Sequence, residues 1–219
     1  MPAPSARMKS HPTSDTTRRK FLLGAAASAA GAFALGGTAA AQDPRIVLDA
    51  AILNYLVRLQ DVQSELYREG VNDFLTSSTR RRQFDAHGGQ ATIDTLLEFQ
   101  QQEASQAATM RDLVMRLGAA PLPTCTVTFA RFATVPDLLA TALTIENLAV
   151  SAHLGVLPLI RNTFVASAVA SMSSVQSRHA AFVGMLNGQS PAPAPADTPR
   201  SREDILNELD RYIGRCTAQ

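Results

Sequence analysis

Apolar residues recur every three or four positions along four long stretches of the chain, and this spacing predicts four amphipathic helices. The predicted helices cover residues 45–74, 92–117, 134–160 and 163–186. Each presents one apolar stripe, so the four can bury their stripes against one another. The pattern therefore predicts an all-α protein built as a four-helix bundle.

The chain also carries signals for where two of these helices end and begin. Gly118, followed by Pro121, predicts the end of the second helix, because glycine adopts the left-handed conformation of a C-cap. Thr134 with Pro136 and Asp137 predicts the start of the third helix, with a side-chain cap and a proline in the first turn.

The segments between the helices differ in length. Residues 77–89 are rich in serine, arginine and glycine and predict a polar connection between the first two helices. Residues 118–133 form a longer link, which is typical of a crossover that lets the second and third helices run parallel. The bundle should therefore have one long crossover loop.

A proline and alanine repeat at residues 190–196 predicts a short, semi-rigid linker after the bundle. Ser201 and Asp204 then predict the start of a short final helix. Its packing face would consist of Ile205, Leu206, Leu209 and Ile213. We expect residues 42–189 to form the bundle, and residues 190–219 to form the linker and a C-terminal helix that packs on it.

Polar side chains interrupt the apolar stripes in the middle of three helices. They are Glu103 and Gln106 in the second helix, Glu146 in the third, and Gln176 and His179 in the fourth. A carboxylate buried without a partner is costly or takes up a proton, so these side chains should satisfy one another or hold a metal ion. The sequence predicts one polar cluster in the bundle core.

The first helix contributes differently. Its carboxylates Asp61 and Glu65 fall on a charged outer face, which is typical of a solvated surface. Gln60 and Gln63 flank its apolar stripe. We therefore expect no inward carboxylate from this helix.

Several short motifs, in this order, resemble the exported ferritin-like domain family, which includes bacterial proteins exported by the twin-arginine pathway and plant desiccation-related proteins. The motifs are Ile52-Leu-Asn-Tyr-Leu56, Glu65-Leu-Tyr67, Glu103 followed by Met110-Arg-Asp-Leu, Glu146 through Ala152-His-Leu-Gly155, His179-Ala-Ala, and the tail from Asp197 to Leu206. The resemblance implies a ferritin-like bundle. In such di-iron bundles two helices each give one Glu and two give a Glu-x-x-His pair.

The chain departs from that pattern at three ligand positions. Gln60 stands for the glutamate of the first helix, Gln106 for the histidine of the second, and Gln176 for the glutamate of the fourth. The ligand residues that remain are Glu103, Glu146 and His179. A further histidine, His153, lies two turns or about 10 Å from Glu146 and should be a hydrogen-bonded core residue.

Two interpretations of the cluster remain open. In one, protonated His179 balances a carboxylate and the glutamines donate to the carboxylate oxygens, with no cofactor. In the other, Glu103, Glu146 and His179 hold one Fe, Mn or Zn ion. A two-metal oxidase is disfavoured, because the missing ligands carried the charge that holds two cations together. The functions implied are a non-catalytic stress- or desiccation-related protein, or a mononuclear metal-binding protein or weak metal-dependent oxidase.

The N-terminus carries an export signal. Arg18 and Arg19 precede an apolar, Ala- and Gly-rich run, and residues 39–41 offer small residues for signal peptidase. The run of about 17 residues falls short of the roughly 20 that a membrane span needs, so cleavage is favoured over a membrane anchor. Residues 1–41 should be a twin-arginine signal, with Met1 or Met8 as the start and the export machinery as a partner. The mature protein would be periplasmic or secreted.

The rest of the composition limits the classes of binding partner and suggests one disulfide bond. No lysine follows residue 41 and the arginines are scattered, so a nucleic-acid partner is excluded and a homo-oligomer is left open. Cys125 and Cys216 are the two cysteines. In an oxidising compartment they should form a disulfide between the crossover loop and the C-terminal tail, with two unpaired buried thiols as the alternative.

Overall fold

Four long helices form the body of the molecule, and they confirm the predicted all-α bundle. The computed structural model describes residues 43–217, so the predicted export signal lies outside the described residues. The bundle helices are α1 (Pro44–Leu75), α3 (Gly89–Arg116), α4 (Val135–Val156) and α5 (Thr163–Leu186). The smaller elements are α2 (Ser78–Arg81), β1 (Thr124–Val127), α6 (Arg202–Leu209), β2 (Ile213–Thr217), and the 3₁₀ turns Arg82–His87 and Leu157–Leu159.

The apolar stripes of the helices meet in a continuous core. Burying a large apolar side chain stabilises the fold by about 1.5–3 kcal/mol, so this core is the main source of stability. The largest side chains that are fully buried are Ile52, Leu53, Leu56, Leu59, Leu66, Tyr67, Phe74, Phe84, Ile93, Leu96, Met110 and Leu138.

One stretch, Val135–Leu159, is long and apolar enough to cross a membrane by length and composition alone. Of its apolar window, 56% is buried inside the protein. An apolar helix of this kind is expected in a protein core as well as in a membrane.

The helix ends follow the predicted caps. Gly118 has a φ of +75°. It donates its N–H to Met115, and Ala119 donates to Val114, so the two bonds form a Schellman motif. At the start of α4, Thr134 and Asp137 exchange side-chain and backbone hydrogen bonds in a complete capping box.

The crossover loop runs along α1 from near its start to near its end. The Asn54 side chain accepts a hydrogen bond from the Leu122 N–H at 2.9 Å and donates to the Ala120 carbonyl at 3.2 Å. At the other end, the Arg80 guanidinium donates to the Phe132 carbonyl at 2.9 Å. Helix α3 therefore ends, and α4 begins, at opposite ends of α1. The two helices run parallel, as the length of the loop predicts.

The connection between α1 and α3 is more ordered than its polar sequence predicts. It contains α2 and a 3₁₀ turn, and Phe84 in that turn has no exposed surface. The Phe84 ring packs edge-on against Phe74, with the ring centroids 5.6 Å apart. A single phenylalanine among polar residues shows no periodicity, so no local pattern indicates this contact.

The sequence also did not predict the small antiparallel sheet that joins β1, in the crossover loop, to β2, in the tail. Ile213 pairs with Val127 in this sheet, so its predicted place on the last helix is wrong. Strands of four and five residues depend on pairing with a distant segment, which local patterns do not reveal. The Cys125–Cys216 disulfide joins the two strands, with an S–S distance of 2.04 Å, which confirms that hypothesis.

Helix α6 lies against the bundle through Ile205 and Leu209, which have no exposed surface. The linker before it approaches α4 very closely: the Arg200 N–H donates to the Ser151 carbonyl at 3.1 Å. A methyl group on Gly155 would lie 2.1 Å from the Arg200 carbonyl oxygen. Only a glycine at this position leaves room for the linker.

We predict that Gly155→Ala destabilises the protein by about 1–3 kcal/mol, because the new methyl group must push the linker backbone away. Urea unfolding followed by circular dichroism measures the change. Gly184→Ala in α5 is the matched control, since its methyl group would lie at an ordinary 3.8 Å from its neighbours. A loss of equal size in both variants would contradict the prediction.

Candidate functional site

The structure brings together the three candidate ligands, Glu103 from α3, Glu146 from α4 and His179 from α5. One ligand atom from each lies within 4.8 Å of the others. The two glutamates have no exposed surface and His179 is 2% exposed. The predicted polar cluster therefore exists in the centre of the bundle.

Glu103 is surrounded by nitrogen atoms. His179 Nδ1 lies 2.7 Å from Glu103 Oε1. The amide nitrogen of Gln176 lies 3.1 Å and 2.9 Å from the two carboxylate oxygens. The same nitrogen is 3.2 Å from Gln106 Oε1. Gln176 thus ties the carboxylate of one helix to an amide one turn along it.

Glu146 receives its hydrogen bonds from α1. The Tyr67 hydroxyl donates to Oε1 at 2.6 Å, and the Gln63 amide donates to Oε2 at 2.9 Å. Gln63 also donates to Gln176 Oε1 at 2.6 Å. Its amide therefore links the two carboxylates through Gln176. Each carboxylate oxygen in the cluster already accepts a hydrogen bond from a protein group.

The His179 ring is held on both edges and on one face. Its second nitrogen, Nε2, lies 2.9 Å from the amide oxygen of the half-buried Gln102. The ring stacks on Phe99, with centroids 3.8 Å apart and the planes tilted by 22°. Because both nitrogens face oxygen atoms, the doubly protonated imidazolium suits this arrangement best. Burial opposes that charge and is the larger effect, so the pKa of His179 lies below its ordinary value although the Glu146 carboxylate acts to raise it.

Burial also shifts the two carboxyl groups. It raises the pKa of Glu103 and of Glu146, in each case to about 8, and the neighbouring Glu103 contributes to the rise at Glu146. Hydrogen bonds from Gln176, Tyr67 and Gln63 act in the opposite direction because they favour the ionised form. The carboxyl groups of the cluster therefore retain protons at neutral pH. The cluster then carries less negative charge than a cation site requires.

The glutamines do not all act as the sequence predicts. Gln176 donates to a carboxylate, but Gln106 accepts, and Gln60 donates to Gln106 Oε1 at 2.7 Å. The expectation that all three donate to carboxylate oxygens is wrong for Gln60 and Gln106. The amide of α1 that reaches a carboxylate is Gln63, which flanks the predicted apolar stripe.

The spacing of residues along α1 could have identified the side chains that the sequence-based prediction missed. Gln60, Gln63 and Tyr67 are spaced three and four residues apart, so they lie on one face of α1. All three have no exposed surface. The spacing alone identified the face but not which amide meets which carboxylate.

The acidic residues of α1 also differ from expectation. Asp49 is buried and accepts the backbone N–H groups of Arg161 and Asn162 at 2.9 Å and 2.7 Å. The first helix thus does carry an inward carboxylate, but it caps the turn between α4 and α5. Asp61 and Glu65 are half-buried rather than fully solvated, and each pairs with an arginine.

His153 is the core histidine that its position predicts. It has no exposed surface, and Nδ1–H donates to the Ala149 carbonyl at 2.8 Å. Nε2 has no hydrogen-bond partner among the described residues. His153 therefore belongs to the packing of α4 and not to the cluster.

The architecture and the central cluster agree with a comparison against known families. The model of the ferritin-like domain matches residues 48–189, roughly two thirds of the chain. The chain belongs to the ferritin-like domain family. No curated protein matches it.

The residues present do not fit the two-metal centre of ferritin-like di-iron bundles. Such a centre takes four carboxylates and two histidines, whereas this cluster offers two carboxylates and one histidine. The amide hydrogens of Gln63 and Gln176 point at the carboxylate oxygens that would face the cations. One ion could reach Glu103, Glu146 and His179 only if these hydrogen bonds were replaced.

We predict that His153 makes the protein sensitive to mild acid. Burial lowers the pKa of His153 from 6.5 to about 4, so the unfolded chain takes up a proton before the folded protein does. Stability is therefore lost as the pH falls from about 6.5 to about 4, and this histidine accounts for about 3 kcal/mol of the loss.

His153→Leu removes this titration and should flatten the pH dependence in that window. Urea unfolding of both proteins at pH 7, 5.5 and 4.5 measures the difference, and the titration of other groups cancels in the comparison. Parallel pH profiles for the two proteins would show that His153 is not responsible.

Proposed function

We propose that the protein is an exported, non-catalytic ferritin-like bundle of the stress- or desiccation-related type, whose centre is held by hydrogen bonds and retained protons in place of a metal pair. The observation that carries the proposal is the position of the Gln176 amide nitrogen, within 3.1 Å of both Glu103 oxygens. A glutamate at this position, as the resemblance implies for the family, would place a third carboxylate against Glu103.

The physical argument rests on the difference between an amide and a carboxylate. A glutamine offers two N–H donors and one acceptor, so it can satisfy a buried carboxylate. A glutamate there would repel it unless a cation or a proton lay between them. Gln63 and Gln176 both act as donors to carboxylates, and Tyr67 adds a hydroxyl donor. Both carboxylates are therefore satisfied by hydrogen bonds from the protein, whereas the amide oxygens of Gln60 and Gln63 have no partner among the described residues.

The proposed export and the proposed stress-related role rest on observations outside the central cluster. Arg18 and Arg19 before the apolar run favour the twin-arginine pathway. The Cys125–Cys216 disulfide agrees with an oxidising compartment. The role in stress or desiccation rests on the resemblance to the exported members of the family. A bundle whose centre needs no metal suits a structural or binding role better than oxidation.

The second candidate is a mononuclear metal-binding protein. It is favoured by the clustering of three ligand atoms from Glu103, Glu146 and His179 within 4.8 Å. Two carboxylates and one imidazole with open positions form a ligand set for Fe, Mn or Zn. Bound there, iron or manganese would supply redox chemistry and could support a weak oxidase. The binding would cost the hydrogen bonds of the present network.

We predict that the exported protein, purified without chelator, holds far less than one equivalent of Fe, Mn or Zn per chain. Mass spectrometry of the metals, with the protein concentration from amino-acid analysis, gives the ratio. About one equivalent of a single metal, lost in Glu103→Ala or His179→Ala, would overturn the metal-free proposal in favour of the second candidate.

Gln176→Glu provides a positive control for that measurement. It adds a carboxylate beside Glu103, so it should raise the metal content above that of the natural protein. Gln101→Glu, on the exposed side of α3, adds the same charge outside the core and should leave the metal content unchanged.

A separate prediction concerns export. Replacing Arg18 and Arg19 together by lysine should leave most of the protein in the cytoplasm as the uncleaved precursor, because the twin-arginine machinery requires the arginine pair. Fractionation and intact mass of both forms give the result. Undiminished periplasmic protein in the double variant would show that another route is used.

A further inference from the structure

The Cys125–Cys216 disulfide lies at the surface of the protein and is not part of the central cluster. Cys216 is exposed and Cys125 is half-buried. The two residues are directly paired across β1 and β2. Arg58 of α1 places its Nη1 atom 3.9 Å from Cys216 Sγ. One of the two bridged cysteines is therefore an exposed residue, and its sulfur has a cation beside it.

We propose that this disulfide is a reversible clasp, opened by a dithiol reductant, that fastens the C-terminal strand β2 to the bundle. The proposal is independent of whether the central cluster holds a metal. It assigns Cys216 as the sulfur that is attacked and Arg58 as the residue that assists the exchange.

The exchange proceeds in two balanced steps. A thiolate of the dithiol attacks Cys216 Sγ, the Sγ–Sγ bond breaks, and Cys125 leaves as a thiolate that takes a proton from water. The second thiol of the reductant, after losing its proton, attacks the sulfur of its own first thiol. Cys216 then leaves as a thiolate that takes a proton from water, and the reductant departs as a cyclic or linked disulfide. The protein gains two electrons and two protons.

The cation of Arg58 favours both steps. It attracts the incoming thiolate to Cys216, and it stabilises the Cys216 thiolate that leaves in the second step. The neighbouring carboxylate Asp61 is already held by Arg111, at 2.6 Å. Asp61 therefore neutralises the charge of Arg58 less than a carboxylate without a partner would. Arg202 lies close enough to influence Arg58 electrostatically and adds positive charge.

The clasp holds little besides β2. The sheet has strands of four and five residues, with an irregular register between Cys125 and Val127. A two-stranded sheet of this size is marginal by itself. Helix α6, in contrast, keeps its own anchors through Ile205 and Leu209. Opening the bond should therefore release β2 and leave the bundle folded.

The release has a structural consequence next to the clasp. Strand β1 forms one wall of a cleft of about 460 Å³ against α1 and α3, whose other side carries the Asp61–Arg111 ion pair. Cys125 lies in that wall. Freeing β2 removes the covalent tie that holds the wall in place, so the redox state of the clasp sets how firmly the cleft is closed.

The test uses the folded, full-length mature protein. Dithiothreitol is added without denaturant, samples are alkylated over time, and intact mass counts the modified cysteines. We expect two alkylated cysteines while the far-UV circular dichroism retains its helical signal. We also expect faster trypsin cleavage after Arg211 and Arg215, as in a Cys125→Ser/Cys216→Ser variant. Thiols that appear only when urea melts the helices would overturn the proposal.

The role of Arg58 is tested by rate. Arg58→Gln should slow the reduction about threefold to tenfold, and Arg58→Lys should restore most of it, because the effect is electrostatic. Added salt should shrink the difference. Arg81→Gln, an exposed arginine outside the sheet, is the matched control. Equal rates for Arg58→Gln and the natural protein at low salt would remove Arg58 from the mechanism.

Discussion

The burial of Glu103 and Glu146 is the constraint on which the rest of the molecule depends. Two carboxyl groups without exposed surface cannot remain ionised beside each other without donors, a cation or protons. The other two bundle helices answer that need, because α1 supplies Tyr67 and Gln63, and α5 supplies Gln176 and His179. The relative rotation of the helices is therefore fixed by polar contacts as well as by the apolar stripes.

This network shows how a ferritin-like bundle can be held together with glutamines at positions where the family resemblance implies metal ligands. Metal ions in such a core neutralise carboxylates and join helices. Here amides join the helices, and retained protons reduce the charge. An amide differs from a carboxylate by one atom type, so Gln176 occupies nearly the same volume as a glutamate while reversing the sign of the interaction with Glu103. The fold is preserved although the chemistry of the centre changes.

The sequence was informative where a structure depends on local periodicity. Four helices, the crossover and the inward positions of Glu103, Glu146 and His179 all follow from spacings of three and four. The sheet, the burial of Phe84 and the capping role of Asp49 depend on partners far along the chain, which one sequence does not reveal. The same limit explains why the face containing Gln63 was visible but its bond to Glu146 was not.

The central cluster and the disulfide differ in how firmly the structure around them is held. The central cluster is buried and tied to every bundle helix, so any change there must disturb the whole core. The disulfide lies on two short strands outside that core, and the segment beyond α6 is held by this strand pairing, by the disulfide and by the contact of Tyr212 with Phe129. Local opening is cheapest where few apolar contacts are lost. A response to the chemical environment can therefore occur at the C-terminal strand while the ferritin-like bundle stays intact, because the disulfide lies outside the buried core of the bundle.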